Sequence, residues 1–212
     1  MARICLLAIA VALAGQPSKL SEFAIGPVTV TVPAPEGFEN AWQLKAVRER
    51  FPSTTELEVV AVHLPADVVK NFDSDQDLTF YTRVAIAAAA KAQEFPPELL
   101  PEFAERFAAG ELPDQRKRLA ELATQTGVTV TQPLNLGVFD RTPQSFSGLL
   151  LNGISAGNRS ANVLTATTVM RLKGRMLNVY AYRRFTSDAD RTTLEGFTKT
   201  WVRRIIAANP GA

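Results

Sequence analysis

The sequence has a single cysteine and a single histidine in 212 residues. Cys5 lies in an apolar N-terminal segment, so a mature chain without that segment holds no thiol and no disulfide. One histidine excludes zinc or iron sites with two imidazole ligands, and it excludes the two-histidine zinc-protease motif. Since His63 stands in an apolar stretch, we predict a hydrogen-bonded structural residue there and not a catalytic base.

Motifs for catalysis and for nucleotide binding are also missing. No serine stands in the G-x-S-x-G pattern of serine hydrolases, and Ser147 and Ser155, the glycine-flanked serines, match no known pattern. Neither common type of glycine-rich phosphate loop is present. The sequence therefore predicts a protein that is not an enzyme and that carries no cofactor.

Three aspartates have the spacing with which a calcium loop begins. They are Asp73, Asp75 and Asp77. Leu78 stands where such a loop needs its glycine, and Val84 stands where it needs its closing glutamate. We therefore predict an exposed acidic connector and no metal site.

Four glutamates follow at helical spacing, and they are typical of a solvated helix face. They are Glu94, Glu98, Glu102 and Glu105. An enzymatic alternative stays open at this point. In it, the fold brings carboxylates such as Asp140 and Glu94 together in a hydrolase site with an unrecognised pattern.

Long hydrophobic runs are absent except for a short one at the N-terminus. Residues 4–14 are apolar, Arg3 precedes them, and Ala12 and Ala14 are the small residues that signal peptidases require. The run is shorter than the roughly 20 residues that cross a bilayer as a helix. We predict a signal peptide over residues 1–14 and a periplasmic or secreted protein whose mature chain has no transmembrane span. An uncleaved signal that holds the protein at a membrane surface is the alternative.

The remaining chain divides into a linker and one domain. Residues 15–27 are rich in glycine, proline and serine and predict a short linker. Residues 28–210 predict a single domain, because the whole chain is 46% hydrophobic and a segment of this length can bury one core.

Hydrophobic periodicity predicts the elements of that domain. Strands are expected at 28–32, 57–64, 78–87, 128–131, 145–154, 163–172 and 176–182, and helices at 44–51, 97–109, 114–125 and 188–208. The alanines at 87–90 also suit a helix. Lys173 and Gly174 form a tight connection, so the strands after residue 145 are predicted to be antiparallel neighbours.

Both faces of the segment 175–184 are apolar. One face carries Leu177, Val179 and Ala181, and the other carries Met176, Tyr180 and Tyr182. A strand of this kind indicates a sheet that is covered on both sides. We therefore predict an α+β fold, an α/β/α sandwich in which helices cover both faces of a central, mostly antiparallel sheet.

This order of elements resembles the PsbP extrinsic photosystem subunit and the bacterial lipoprotein DcrB. The resemblance is carried by the strand and turn at 28–38, by the helix at 116–122 that leads into a strand, and by the run 171–201. That run contains RLKGRMLNVYAYRRF and, after a loop, LEGFTKTW. The resemblance implies a PsbP-like sandwich and an exported bacterial protein with a binding or assembly role, and it assigns no site residue.

Charge is distributed unevenly. No acidic residue occurs between Asp140 and Asp188, while five cations gather at the two ends of one predicted hairpin: Arg171, Lys173, Arg175, Arg183 and Arg184. They predict a surface for an anionic partner, either a protein or an envelope component such as lipid headgroups. The alternative is that they keep the hairpin ends solvated. Nucleic acid is not expected, because the chain without its leader has a net charge of only +1.

Overall fold

Alternating apolar residues and tight turns build one large antiparallel sheet. The computed structural model describes residues 20–73, 76–111, 120, 123–131 and 133–211. The strands are β1 (Leu20–Ile25), β2 (Val28–Pro33), β3 (Phe38–Asn40), β4 (Leu57–Pro65), β5 (Phe80–Ala87), β6 (Val128–Val130), β7 (Leu134–Thr142), β8 (Ser145–Ala156), β9 (Arg159–Leu172) and β10 (Arg175–Arg184). Helices in the described ranges include α1 (Lys45–Arg50), α2 (Ala66–Lys70), α3 (Leu99–Ala108) and α4 (Asp188–Ala207).

Eight of these strands form the main sheet, in the order β3-β4-β5-β10-β9-β8-β6, and β7 also pairs with β8. β1 and β2 form a separate hairpin. The predicted turn joins β9 to β10, with Lys173 and Gly174 both at positive φ. β10 lies in the middle of the sheet between β9 and β5, although β5 precedes it by about 90 residues.

The hydrophobic core lies on the face that α4 covers. Trp201 and Ile205 of α4 are almost fully buried against Val84 and Val179 of the sheet. The indole Nε1 of Trp201 donates a hydrogen bond of 2.8 Å to the carbonyl of Pro33, so α4 also holds the β1–β2 hairpin. Together α4 and this hairpin close one side of the sheet.

On the opposite face, the elements in the described ranges cover only the ends of the sheet. Near β4, α1 and Phe51 pack on Val62 and Leu64. Near β8, α3 packs on Phe146 and Leu150. The middle of this face forms the floor of a groove, described below.

The predicted α/β/α sandwich is therefore wrong. The second apolar face of β10 does not simply pack beneath a helix. It carries Tyr180 and Tyr182, which are amphipathic and which pack against each other and against Arg83. The large antiparallel sheet, with few helices, dominates the described chain. The antiparallel order of β8, β9 and β10 agrees with the prediction.

Two other predictions change. Part of the predicted linker is strand β1, whose Ile25 is fully buried, so the ordered domain begins before residue 28. The alanine run ends in a short 3-10 turn, Ala88–Lys91, after β5. The predicted signal segment 1–14 and most of the predicted helix 114–125 lie outside the described residues. No helix in the described ranges is long and apolar enough to cross a membrane.

Candidate functional site

A groove of about 1200 Å³ occupies the open face of the sheet. β4, β5, β10, β9 and β8 supply its floor, since alternate side chains of each strand point to this face. Phe51, after α1, lines one side, and Phe107 of α3 lines the other. Most of the described lining residues are apolar or aromatic.

Four side chains on two neighbouring strands form the centre of the floor. Tyr81 and Arg83 of β5 lie directly opposite Tyr182 and Tyr180 of β10. The rings of Tyr81 and Tyr182 are stacked with centroids 4.5 Å apart. Arg83 Cζ lies 5.0 Å from the ring centroid of Tyr180 and 5.6 Å from that of Tyr182. The sequence has three tyrosines, so all of them are at this site.

Arg83 has no ion-pair or hydrogen-bond partner among the described residues, and its Nε is buried. Burial disfavours the charge of the guanidinium, but Tyr182, Tyr180 and Tyr81 favour it and raise the pKa of Arg83 above its usual value. Aromatic faces attract a cation in this way. The floor of the groove therefore carries a fixed positive charge that no described carboxylate neutralises.

Tyr81 remains protonated. Burial is the main cause that raises the pKa of its phenol, and Tyr182 adds to the effect, while Arg83 and Arg50 oppose it. On its outer side the ring contacts Phe51, with centroids 5.1 Å apart. Tyr81 thus presents a neutral hydroxyl beside the charge of Arg83.

Polar side chains continue the floor beyond the tyrosines. Asn178, Thr165 and Asn152 are each less than a tenth exposed. The Nδ2 of Asn152 donates a hydrogen bond of 2.9 Å to Thr165 Oγ1. The register places Asn178 opposite Val169 and Thr165 opposite Tyr182, so a ligand in the groove would meet polar groups at separate points of the floor.

Phe107 of α3, which lines one side of the groove, packs directly on Gly148, which has no side chain. The ring of Phe107 lies so close to Gly148 of β8 that an added Cβ would come within 2.1 Å of it. Asn135 Nδ2 also donates a hydrogen bond of 2.5 Å to the carbonyl of Phe107. These contacts fix the distance between the wall and the floor.

Three of the predicted cations lie at the turn end of β9 and β10. Arg171 Nε donates to the carbonyl of Phe95 at 2.7 Å, and Lys173 Nζ donates to the carbonyl of Thr29 at 2.8 Å. The Nη1 of Arg175 is buried without a hydrogen-bond partner among the described residues.

The other two predicted cations lie at the opposite end of β10. Arg183 Nε bonds to Asp190 at 2.8 Å, and Arg184 pairs with Asp77 at the groove rim. At about 3.3 Å per residue, the length of β10 separates the two groups by roughly 25 Å. The structure therefore does not bring all five cations into one patch, and their binding of an anionic partner remains a prediction.

His63 lies on the face that α4 covers. It is fully buried, its Nδ1 is 2.9 Å from Thr82 Oγ1, and its ring meets that of Trp201 edge-on. Burial lowers the pKa of His63 to about 3, so the ring is neutral. This agrees with the predicted structural histidine.

The predicted carboxylate candidates do not line the groove. Asp140 is 3.3 Å from Arg203 of α4, while Glu94 lies 3.9 Å from Arg171 on the face where α3 packs. Asp75 lies outside the described residues, and the described chain contains no group of three or more metal-ligating side chains. Glu98, Glu102 and Glu105 are exposed, as predicted.

Sequence reasoning missed Arg83. The available signal was a charged residue on the same strand face as Tyr81, in a segment otherwise rich in apolar residues. Pattern analysis shows which side chains share a face, but it does not show that β5 lies beside β10.

Comparisons with known proteins identify no family. No family model matches the chain, and no curated protein matches it. Among solved structures, the Ran-binding protein Mog1p of Saccharomyces cerevisiae matches with a TM-score of 0.35 and 11% identity, over 90% of this chain and 93% of that one. A substituted Mog1 matches with a TM-score of 0.37 and 12% identity, over 90% of this chain and 92% of that one.

These findings correct the proposed resemblance to PsbP and DcrB. The two solved structures named above are Mog1 chains, which belong to a different fold group from PsbP and DcrB. Their TM-scores are too low for an argument about what this chain binds.

Proposed function

We propose that this chain is a non-enzymatic binding domain that works outside the cytoplasm, and that the groove holds its partner. The observation that carries the proposal is the clustering of all three tyrosines, with Arg83, on one open sheet face. Tyrosine and arginine supply much of the binding energy where proteins hold partners. A concave, largely apolar site with a few convergent polar groups is the usual form of a binding site.

The positions of the titratable residues favour binding over catalysis. His63 lies beneath the sheet, on the face opposite the groove, so it cannot reach a molecule bound there. Asp140 and Glu94 are engaged with arginines elsewhere. The N-terminal pattern of Arg3, an apolar run and small residues supports export to the periplasm or the medium.

Site-specific photo-crosslinking in intact cells tests the groove. A photoreactive residue replaces Asn158 at the groove rim, and in a matched control it replaces Arg204, which is exposed on α4. We expect adducts from position 158 that Tyr182→Ser in the floor reduces, and few adducts from position 204. Equal adducts from both positions, or adducts that Tyr182→Ser leaves unchanged, would contradict the proposal.

Export is tested separately by cell fractionation and N-terminal sequencing. We expect the protein outside the cytoplasm, with Gly15 as its first residue. An intact Met1 in protein from the cytosol would show that the assignment of compartment is wrong.

A further inference from the structure

We propose that the groove binds a small amphipathic carboxylate, that is, an apolar chain or ring with one carboxylate group, and that Arg83 receives the carboxylate. This inference rests on the proposed function of the groove as a binding site. It adds the chemical class of the ligand and the residue that selects it.

The position of Arg83 indicates an anion. Its guanidinium faces contact Tyr180 and Tyr182, but contacts of this kind leave the N–H groups at the edge of the plane free to donate. Of these groups, the buried Nε–H has no hydrogen-bond partner among the described residues. A cation whose Nε is buried, and which has no counter-ion among the described residues, is poorly solvated, and an anionic ligand would supply the missing partner.

The number of cations on the floor of the groove favours a carboxylate over a phosphate dianion. Of the other described arginines that line the groove, Arg184 pairs with Asp77, and Arg106 pairs with Glu111 at 3.3 Å. Arg50 donates to the carbonyl of Gln76 at 2.7 Å, and Arg159 is exposed at the start of β9. A single planar guanidinium matches the two oxygens of one carboxylate. A phosphate dianion would leave one negative charge without a partner on the floor.

The depth of the site favours a small molecule. Arg83 Nε is buried and the residue lies on the floor, so a group reaches it only by entering the groove. The volume of about 1200 Å³ lies just above the usual range of about 300–1,000 Å³ for small-molecule sites, so the groove has room for such a ligand. Partly exposed apolar side chains on the α3 side receive the rest of the ligand: Phe103, Val169 and Met176.

The test uses the three tyrosines as reporters. The mature chain is prepared with ¹³C-labelled tyrosine rings, so every signal in the spectrum comes from the groove. The probes are 4-phenylbutyrate and its uncharged amide, 4-phenylbutanamide. We expect the carboxylate to shift the ring signals of Tyr180 and Tyr182 and to bind roughly tenfold or more tightly than the amide.

Three variants test whether Arg83 causes the preference for the carboxylate over the amide. Arg83→Gln should reduce the ratio of the two affinities to about one, and Arg83→Lys should keep part of it. Arg204→Gln makes the same change in net charge on α4 and should leave the ratio unchanged. The tyrosine spectrum of each ligand-free variant reports whether the variant is folded. If Arg83→Gln does not fold, the comparison is made with Arg83→Lys instead.

Several results would overturn the inference. They are equal affinity for both probes, a preference that persists in Arg83→Gln, or no tyrosine shift with either probe at its solubility limit. Tighter binding of phenyl phosphate than of phenylbutyrate would also overturn it. Equal affinity would leave the proposed function standing, because crosslinking at the rim tests the groove independently of ligand charge.

Discussion

The side chain of Asn209 pairs with the backbone of Thr31 as a neighbouring strand would. Its Oδ1 accepts from Thr31 N at 2.9 Å, and its Nδ2 donates to Thr31 O at 2.7 Å. Nδ2 also donates to the carbonyl of Ile205 in α4 at 2.8 Å. One buried amide therefore joins the β1–β2 hairpin to the end of the last helix.

Asn209→Asp is expected to destabilise the protein by about 1–3 kcal/mol, because two carbonyls lose their donor and face a carboxylate. Urea unfolding at pH 7 measures the change. Asn162→Asp, at an exposed position, adds the same charge and should change little. Equal losses in both variants would show that the charge itself, and not the pairing with Thr31, is responsible.

Gly148→Ala is expected to destabilise the protein by about 1–3 kcal/mol, because the new methyl group overlaps the Phe107 ring and pushes α3 away from the sheet. Denaturant unfolding measures the loss, and the Phe107 ring resonances report the movement of the groove wall. Gly196→Ala in α4 is the control. Its Cβ meets open space, so it should stabilise the protein by about 0.5–1 kcal/mol. A neutral Gly148→Ala would contradict the contact.

His63 is expected to make stability depend on pH. Burial lowers its pKa to about 3 in the folded state, against about 6.5 in an unfolded chain. The contribution of neutral His63 to the free energy of unfolding is therefore complete above pH 6.5. It falls as the pH drops towards 3, because in this range only the unfolded chain binds the proton. The slope is about 1.4 kcal/mol per pH unit.

Denaturant unfolding between pH 6.5 and pH 5 measures this slope. His63→Asn, which retains a polar partner for Thr82, should have a much flatter pH dependence. Since the chain has one histidine, no other imidazole contributes. A His63 ring that titrates near pH 6.5 in the NMR spectrum of the native protein would refute this prediction.

Asp190 is expected to stabilise the start of α4. Hydrogen bonds from the Thr186 hydroxyl and backbone, then from Arg183 and Ser187, lower the pKa of its carboxyl. This contribution is complete above about pH 4, where an unfolded aspartate is ionised, and it is lost as pH falls further. Asp190→Asn should therefore be less stable than the natural protein at pH 7, and the difference should shrink towards pH 3.

Thermal unfolding of both proteins across this pH range checks the prediction. Asp188→Asn removes the same charge from the same helix turn, but at an exposed residue, and should cost less. An identical loss in the two variants would assign the effect to the helix dipole and not to the hydrogen bonds.

Arg83→Met is expected to keep the free energy of unfolding within about 1 kcal/mol of the natural value. The variant loses two aromatic contacts, but it also removes a buried charge without a counter-ion. Urea unfolding measures the change. A loss of about 3 kcal/mol or more would indicate that Arg83 is mainly a structural residue.

Local patterns predicted most elements because their causes are local. The alternating residues 28–32 form β2. Ser187 and Asp190 lie at the start of α4, where Asp190 accepts a hydrogen bond from the Ser187 N–H. β7 is not among the predicted strands, although Leu134, Leu136 and Val138 alternate with Asn135 and Gly137 in its sequence. The register of β7 with β8 shifts twice. The sandwich prediction is wrong because Tyr180 and Tyr182 line the groove and pack against each other and against Arg83.

The amino-acid order by itself determined which residues share a strand face, since side chains alternate along every strand whatever its neighbours are. It thereby placed Tyr81 beside Arg83, and Tyr180 beside Tyr182. Only the tertiary structure decided that β5 and β10 are adjacent, because pairing between distant strands depends on how the whole chain buries its apolar surface. That pairing surrounds the charge of Arg83 with tyrosines and creates the candidate site.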